Sequence, residues 1–270
     1  MKSLNLGNLH RKETFMKQIF NSLIIAFAMY SKLPMPRAEW SKENMRYVMC
    51  FFPLVGAVIG TVIYLWSLLG GSMALSTVFL TVVYVLIPLF LTGGIHMDGF
   101  MDTTDALSSY QSKEKKLEIL KDPNSGAFAV IACVGYYLLT FGAWFEISKE
   151  TLPFLCIGFL LSRALSGLSV VTFPLAKNSG LAATFSNEAK KVLTKRVMLL
   201  YILLSAASML LLNWKLGIIC LAGALLTYVY YRQKAIKEFG GITGDLAGYF
   251  LQLCELIMAV GVILGGRLCG

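Results

Sequence analysis

Four ionisable side chains, His96, Asp98, Asp102 and Asp105, fall inside the stretch GGIHMDGFMDTTDAL at residues 93–107. On a helix, Asp98 and Asp102 are four apart and Asp102 and Asp105 three apart, so the three carboxylates share one face. Like charges on one face repel, and folding alone supplies no reason to gather them. A divalent cation does, because Mg²⁺ prefers carboxylate oxygen and usually binds through one or two carboxylates plus substrate phosphates. The plainer alternative is a solvated acidic helix start, which suits the positive end of the helix dipole. The stretch follows directly on an apolar run, and three carboxylates beside a membrane segment favour the metal reading. His96 has three roles open to it: ligand, base, or satisfied polar residue. Gly93 and Gly94, and a second glycine-rich segment with Gly240, Gly241 and Gly244, suit phosphate cradling through backbone N–H groups.

The elements that must carry these residues are membrane helices. The chain is 57% hydrophobic and only 14% charged, against about 25% charged in a soluble domain. Its net charge of +9 is not a nucleic-acid footprint, because the lysines and arginines fall in the gaps between apolar runs. Six scattered cysteines, without a C-x-x-C pair, predict neither a disulfide framework nor a zinc site.

Apolar runs at residues 47–69, 73–92, 128–147, 152–173, 197–212, 216–231 and 249–265 predict about seven spans. An earlier run, residues 19–30, is too short for a simple span and reads as a short or interfacial helix; cleavage after its Ala26-Phe27-Ala28 is not expected. Gly56 and Gly60 make a small-xxx-small pattern for close helix approach. Residues 111–121 read as an amphipathic surface helix, with Leu117 and Leu120 on its apolar side and Lys113, Lys115 and Lys116 on its wet side. Residues 174–195 read as a loop, and residues 232–250 as a second polar segment opening the last span. The fold class is all-α, a polytopic membrane helix bundle in one domain over residues 1–270.

Basic residues concentrate at 37–46, 113–121, 177–196 and 232–237, on the side opposite the nearly uncharged turns, which makes that side cytoplasmic. Asp98, Asp102, Asp105, Asp122 and Asp245 all fall on it, although none was used to set it. Mid-span ionisable residues need partners. For Arg163 these are Glu146 or Glu255, or else a substrate phosphate or an active-site Asp; Glu255 leans toward a structural partner.

Beyond the acidic stretch, EILKDPNSGAF, SRALSG and GGITGDLAGYFLQLCELI, with FPLVGAVIG and SKLPMPR nearer the start, resemble the cobalamin synthase family. The match is spread in order over nearly the whole chain and is weakest across residues 175–195. The resemblance implies a Mg²⁺-dependent adenosylcobinamide-GDP ribazoletransferase of the bacterial inner membrane. Such enzymes join α-ribazole, or its 5′-phosphate, to adenosylcobinamide-GDP and release GMP. On that reading Asp98, Asp102 and Asp105, with Asp122 and Asp245, hold Mg²⁺ on the diphosphate, and His96 or one of the Asp residues is the base. Lys121 and Arg163 offset phosphate charge, and Gly93, Gly94, Gly241 and Gly244 contact substrate. The partners are the two substrates and the lipid bilayer, with a homo-oligomer also allowed for and nucleic acid excluded.

Two rivals remain. A CDP-alcohol phosphotransferase also pairs spaced Asp residues with Mg²⁺, but its motif has an Ala-Arg pair shortly after the first Asp-Gly, where Phe100 and Met101 stand here. A transporter would use Arg163 and Glu255 as midplane coupling residues, yet the acidic residues cluster at one face and no inverted repeat is evident.

Overall fold

A backbone can cross hydrocarbon as a helix because every polar group of the segment is then satisfied within it. Six helices of this chain are long and apolar enough to do so in the computed structural model, which describes residues 2–269, with side chains from 15 to 267. They are α3 (Val48–Ser72), α7 (Ala127–Phe145), α8 (Leu152–Thr172), α10 (Lys191–Leu212), α11 (Trp214–Phe239) and α12 (Gly244–Cys269). A seventh apolar helix, α4 (Thr77–Thr92), turns by 92° into α5 (Ile95–Ser108). The protein is therefore an all-helical, multi-pass membrane protein, and large apolar residues such as Ile131, Leu138, Leu203 and Leu226 point outward where lipid would meet them.

The first helix, α1 (Lys2–Tyr30), is apolar only from Phe15 to Tyr30. It is bound into the bundle, with Ile24, Ile25 and Ala26 buried and the Tyr30 ring 4.3 Å from that of Phe52 on α3. The most buried span is α8, in which every residue from Leu161 to Gly167 is buried. Helix α3 approaches α8 through Gly56 and Gly60, where a Cβ would meet the backbone of Phe159 and Cys156, as the small-xxx-small spacing predicts.

The polar segments are more structured than their composition suggests. Short helices α2 (Lys42–Met45), α6 (Lys113–Ile119) and α9 (Leu181–Glu188) occupy them. Residues 174–195, expected to be a loop, contain α9 with Ala182, Ala183, Phe185 and Ser186 buried, and then the start of α10. Likewise α11 continues to Phe239, past the expected end at Tyr231, because Tyr231, Ala235 and Phe239 recur at helical spacing on a buried face. Lys116 does not sit on the wet side of α6. It is buried against Glu238 of α11 at 2.5 Å. Its pairing partner is distant in sequence, so periodicity alone could not place it.

These contacts gather the basic segments at one end. The Lys190 backbone N–H donates to the Arg46 carbonyl, and the Lys190 ammonium to the Tyr47 hydroxyl at 2.6 Å. Lys177 donates to the Leu117 carbonyl at 2.7 Å. All five cysteines described, Cys50, Cys133, Cys156, Cys220 and Cys254, are free; the side chain of Cys269 lies outside the described residues.

Candidate active site

The bend between α4 and α5 creates the site. Gly93 (φ 63°) and Gly94 (φ 81°) both take left-handed backbone, which costs a side-chain-bearing residue about 1–2 kcal/mol each. Gly93 ends α4 and Gly94 starts α5, so the acidic stretch leaves the axis of α4 and lies against the first turns of α12. Contact between the two helices is backbone to backbone. A Cβ on Gly99 would stand 2.7 Å from the Asp245 carbonyl oxygen, and one on Gly248 would stand 2.9 Å from that of His96. Small residues on both faces thus bring Asp245 beside Asp98 and Asp102.

Four carboxylates interact there. Burial holds the Asp102 carboxyl up to about 6, and the nearby charges of Asp98, Asp245 and Asp105 add to the rise. Asp98 is exposed, while Asp102, Asp105 and Asp245 are half-buried. The Thr243 hydroxyl lies 3.4 Å from Asp245 Oδ2 and accepts the Leu246 N–H at 3.2 Å, so it caps α12 and steadies that carboxylate.

Asp105, expected as a metal ligand, has a structural task. Its Oδ2 accepts the Gly126 N–H, and its Oδ1 accepts the Ala129 N–H at 2.9 Å. It therefore caps the start of α7 from a neighbouring helix, with both oxygens engaged. Asp122 is exposed and closes its own turn, accepting from the Asn124 N–H at 2.9 Å and from the Asn124 side chain at 3.0 Å. The site does not draw it in.

Arg163 also departs from a substrate-facing role. It is 1% exposed and donates to Glu255 Oε1 at 2.5 Å and to the Phe159 carbonyl at 3.1 Å, while the Ser162 hydroxyl donates to the same Glu255 oxygen at 2.9 Å. Of the partners left open by the sequence, the structure selects Glu255; Glu146 instead pairs with Arg267. Gly241 is buried against the backbone of residues 174–176, so its missing side chain serves packing. His96 is buried beside the packed rings of Tyr30 and Phe52, at 6.3 and 6.1 Å, with Nε2 lacking a hydrogen-bond partner among the described residues.

Two cavities meet the acidic cluster. An open one of about 600 Å³ is lined by Lys32, Gly93, Gly94 and Asp98. A smaller one of about 230 Å³ is lined by Lys121, Lys177, Gly244 and Asp245. Lys32 and Lys177 were not legible as site residues. Lys32 lies in SKLPMPR, which carried resemblance but no chemical role, and Lys177 lies in a segment whose basic charge served only to orient the chain.

Among the described residues, no three His, Cys, Asp or Glu side chains converge on one ion position. That does not conflict with Mg²⁺, which takes one or two carboxylates and completes its octahedron with water and phosphate. Hard oxygen donors and mutually repelling charges at Asp98, Asp102 and Asp245 fit such an ion.

With this geometry in view, residues 22–263 match the family model described as cobalamin-5-phosphate synthase. A relative from Lachnoclostridium phytofermentans, named adenosylcobinamide-GDP ribazoletransferase, is 48% identical over 244 residues, covering 90% of this chain and 94% of its own. One of the same name from Clostridium perfringens is 32% identical over 252 residues, covering 92% of this chain and 100% of its own. One from Fusobacterium nucleatum is 29% identical over 260 residues, covering 87% and 94%. No solved structure matches the chain.

Proposed function

This chain belongs to the cobalamin-5-phosphate synthase family, and from that premise we propose that its acidic cluster is the active site of an adenosylcobinamide-GDP ribazoletransferase. The observation that supports the assignment of the site is that Asp98 and Asp245, from two helices, lie near enough to Asp102 to repel it, with no ion pair to any of the three among the described residues.

A hydroxyl of α-ribazole, or of its 5′-phosphate, attacks the cobinamide-linked phosphorus of adenosylcobinamide-GDP. A new P–O bond forms as the bond to the bridging oxygen breaks, and GMP leaves with that oxygen. The product is adenosylcobalamin or its 5′-phosphate. Asp102, whose carboxyl is held near neutrality, takes the hydroxyl proton. Asp98 and Asp245 would hold Mg²⁺, which would offset the charge of the diphosphate and of the departing GMP. Asp105 keeps α5 docked on α7, so the two carboxylates before it stay on the reactive face. Arg163 and Glu255 neutralise each other beneath the site.

The basic segments and the acidic cluster face the cytoplasm across the bacterial inner membrane, as the distribution of lysine and arginine supports. Nucleotide substrates are then met on the side where they are made.

Purified protein in detergent or liposomes, given Mg²⁺, adenosylcobinamide-GDP and α-ribazole 5′-phosphate, should release GMP and the joined corrinoid. EDTA should stop both, and added Mg²⁺ should restore them. No product from folded protein would turn the search to CDP-alcohol substrates and then to transport.

A further inference from the structure

We propose that Lys121 and Lys177 form a paired phosphate-binding site, and that it receives the diphosphate of the nucleotide substrate. The assignment to that substrate rests on the ribazoletransferase reading above; the pairing itself does not.

Lys121 ends the turn that follows α6, and Lys177 lies in the segment between α8 and α9. They are 56 positions apart in sequence, yet both line the cavity of about 230 Å³ at the start of α12, and their ammonium groups lie close enough to repel. A long-range contact sets this meeting. Leu175 and Ile242 form a parallel bridge, in which the Ala176 N–H donates to the Ile242 carbonyl at 3.0 Å and the Ile242 N–H donates to the Pro174 carbonyl at 2.8 Å. The bridge clamps the segment carrying Lys177 to the one carrying Asp245, three residues beyond Ile242.

Neither lysine forms an ion pair among the described residues. Lys177 is half-buried and donates one of its three N–H bonds to the Leu117 carbonyl, leaving two for another acceptor. The carboxylates of Glu118 and Asp245 act on Lys177 from beyond ion-pair distance, so the two ammonium groups are not directly neutralised, and a phosphate oxygen accepts from both. Asp245 lies on the wall of the same cavity. An anion between the lysines is thus next to a carboxylate assigned to Mg²⁺, and a diphosphate satisfies both because its neighbouring phosphates reach lysine and metal together. A cavity of this size takes the phosphate end of the nucleotide and leaves a corrin ring outside. The open cavity of about 600 Å³ at Lys32 and Asp98 is then where the second substrate approaches. The monophosphate of α-ribazole 5′-phosphate has the same chemistry, and the test separates the two sources.

The test uses full-length protein in detergent, with Lys177→Gln, Lys177→Arg and Lys121→Gln. Equilibrium binding of GDP with Mg²⁺ is read first, without turnover. KM is then measured for adenosylcobinamide-GDP, for free α-ribazole and for α-ribazole 5′-phosphate. Lys177→Gln should weaken GDP binding about tenfold, the worth of one charge-assisted hydrogen bond. It should raise the KM for adenosylcobinamide-GDP by a similar factor and leave that for free α-ribazole unmoved. Lys177→Arg should recover most of the loss, and the exposed Lys121→Gln, which disturbs packing least, should repeat its direction. Unchanged GDP binding in both Gln variants, or wild-type protein that does not bind GDP, overturns the pair. A KM shift confined to α-ribazole 5′-phosphate overturns the diphosphate assignment. If wild type makes no corrinoid product but loses GDP in Lys177→Gln, the lysine pair stands and the reaction assigned to the protein falls.

Discussion

The protein holds charge at two places on its helices and treats it in opposite ways. At Arg163 and Glu255 the charges oppose each other at 2.5 Å, with Ser162 and the Phe159 carbonyl taking further bonds. At Asp98, Asp102 and Asp245 the charges are alike and form no ion pair among the described residues, and burial together with these neighbours makes the Asp102 proton harder to remove. The first site is closed on itself and holds helices α8 and α12 in place. The second is incomplete without something positive. Charge near a membrane therefore has two uses, and what separates them is whether the fold supplies the counter-charge.

Loss of function at the open site should be the largest effect. Asp102→Ala should lower kcat by roughly 10²–10⁴-fold, as expected when a general base is removed, while Mg²⁺ binding and the detergent melting curve persist. Asp98→Ala should lower turnover comparably but also weaken Mg²⁺ binding measured by titration. Near-normal activity in both variants would remove the distinction between the two sites.

The closed site should respond in stability instead. Glu255→Leu leaves Arg163 buried and unpaired, at a cost of about 3–5 kcal/mol, seen as a lower midpoint in reversible denaturation. Replacing both partners by apolar residues should recover most of that loss, and failure to recover it would mean that the pair also serves the chemistry.

The pH dependence sharpens the comparison at an intermediate scale. A carboxyl held up to about 6 is ionised above that pH and protonated below it. In kcat/KM an acid limb should therefore appear, falling about tenfold per unit once the carboxyl is protonated, and it should lie below pH 6 with Mg²⁺ bound because the cation offsets the charges of Asp98 and Asp245. Asp102→Ala should abolish that limb, whereas Asp245→Asn should leave some of it.

The smallest effects should come from the acidic residues whose bonds are already made. Asp105→Ala removes the cap of α7 and should cost about 1 kcal/mol of stability with little change in Mg²⁺ affinity. Asp122→Ala should leave both quantities where they are. A large fall in Mg²⁺ affinity for either would return it to the metal site.

Much of this was legible because helical spacing is local. The spacing of Asp98, Asp102 and Asp105 places them on one face whatever surrounds the helix. The apolar runs likewise mark the spans, since each must satisfy its backbone within itself. Gly93 and Gly94 read as a phosphate cradle, and the 92° bend they make between α4 and α5 emerged only in the structure. What local pattern left undecided was partnership. Arg163 had several candidate partners, and Glu255, 92 positions away, became its counter-charge only when α8 and α12 packed together. The same held for Lys116 and Glu238 and for the two lysines beside Asp245. Asp105 looked identical to its neighbours in sequence, and only the approach of α7 occupied its oxygens.

The sequence by itself therefore determined a helical membrane protein, its spans, the acidic face and the family resemblance, since all of these follow from composition, period and motif order along one chain. The tertiary structure decided which charges are neutralised and which stay open. Coulomb forces and hydrogen bonds act over a few ångströms of space, and those distances are set by helices that meet far apart in the chain.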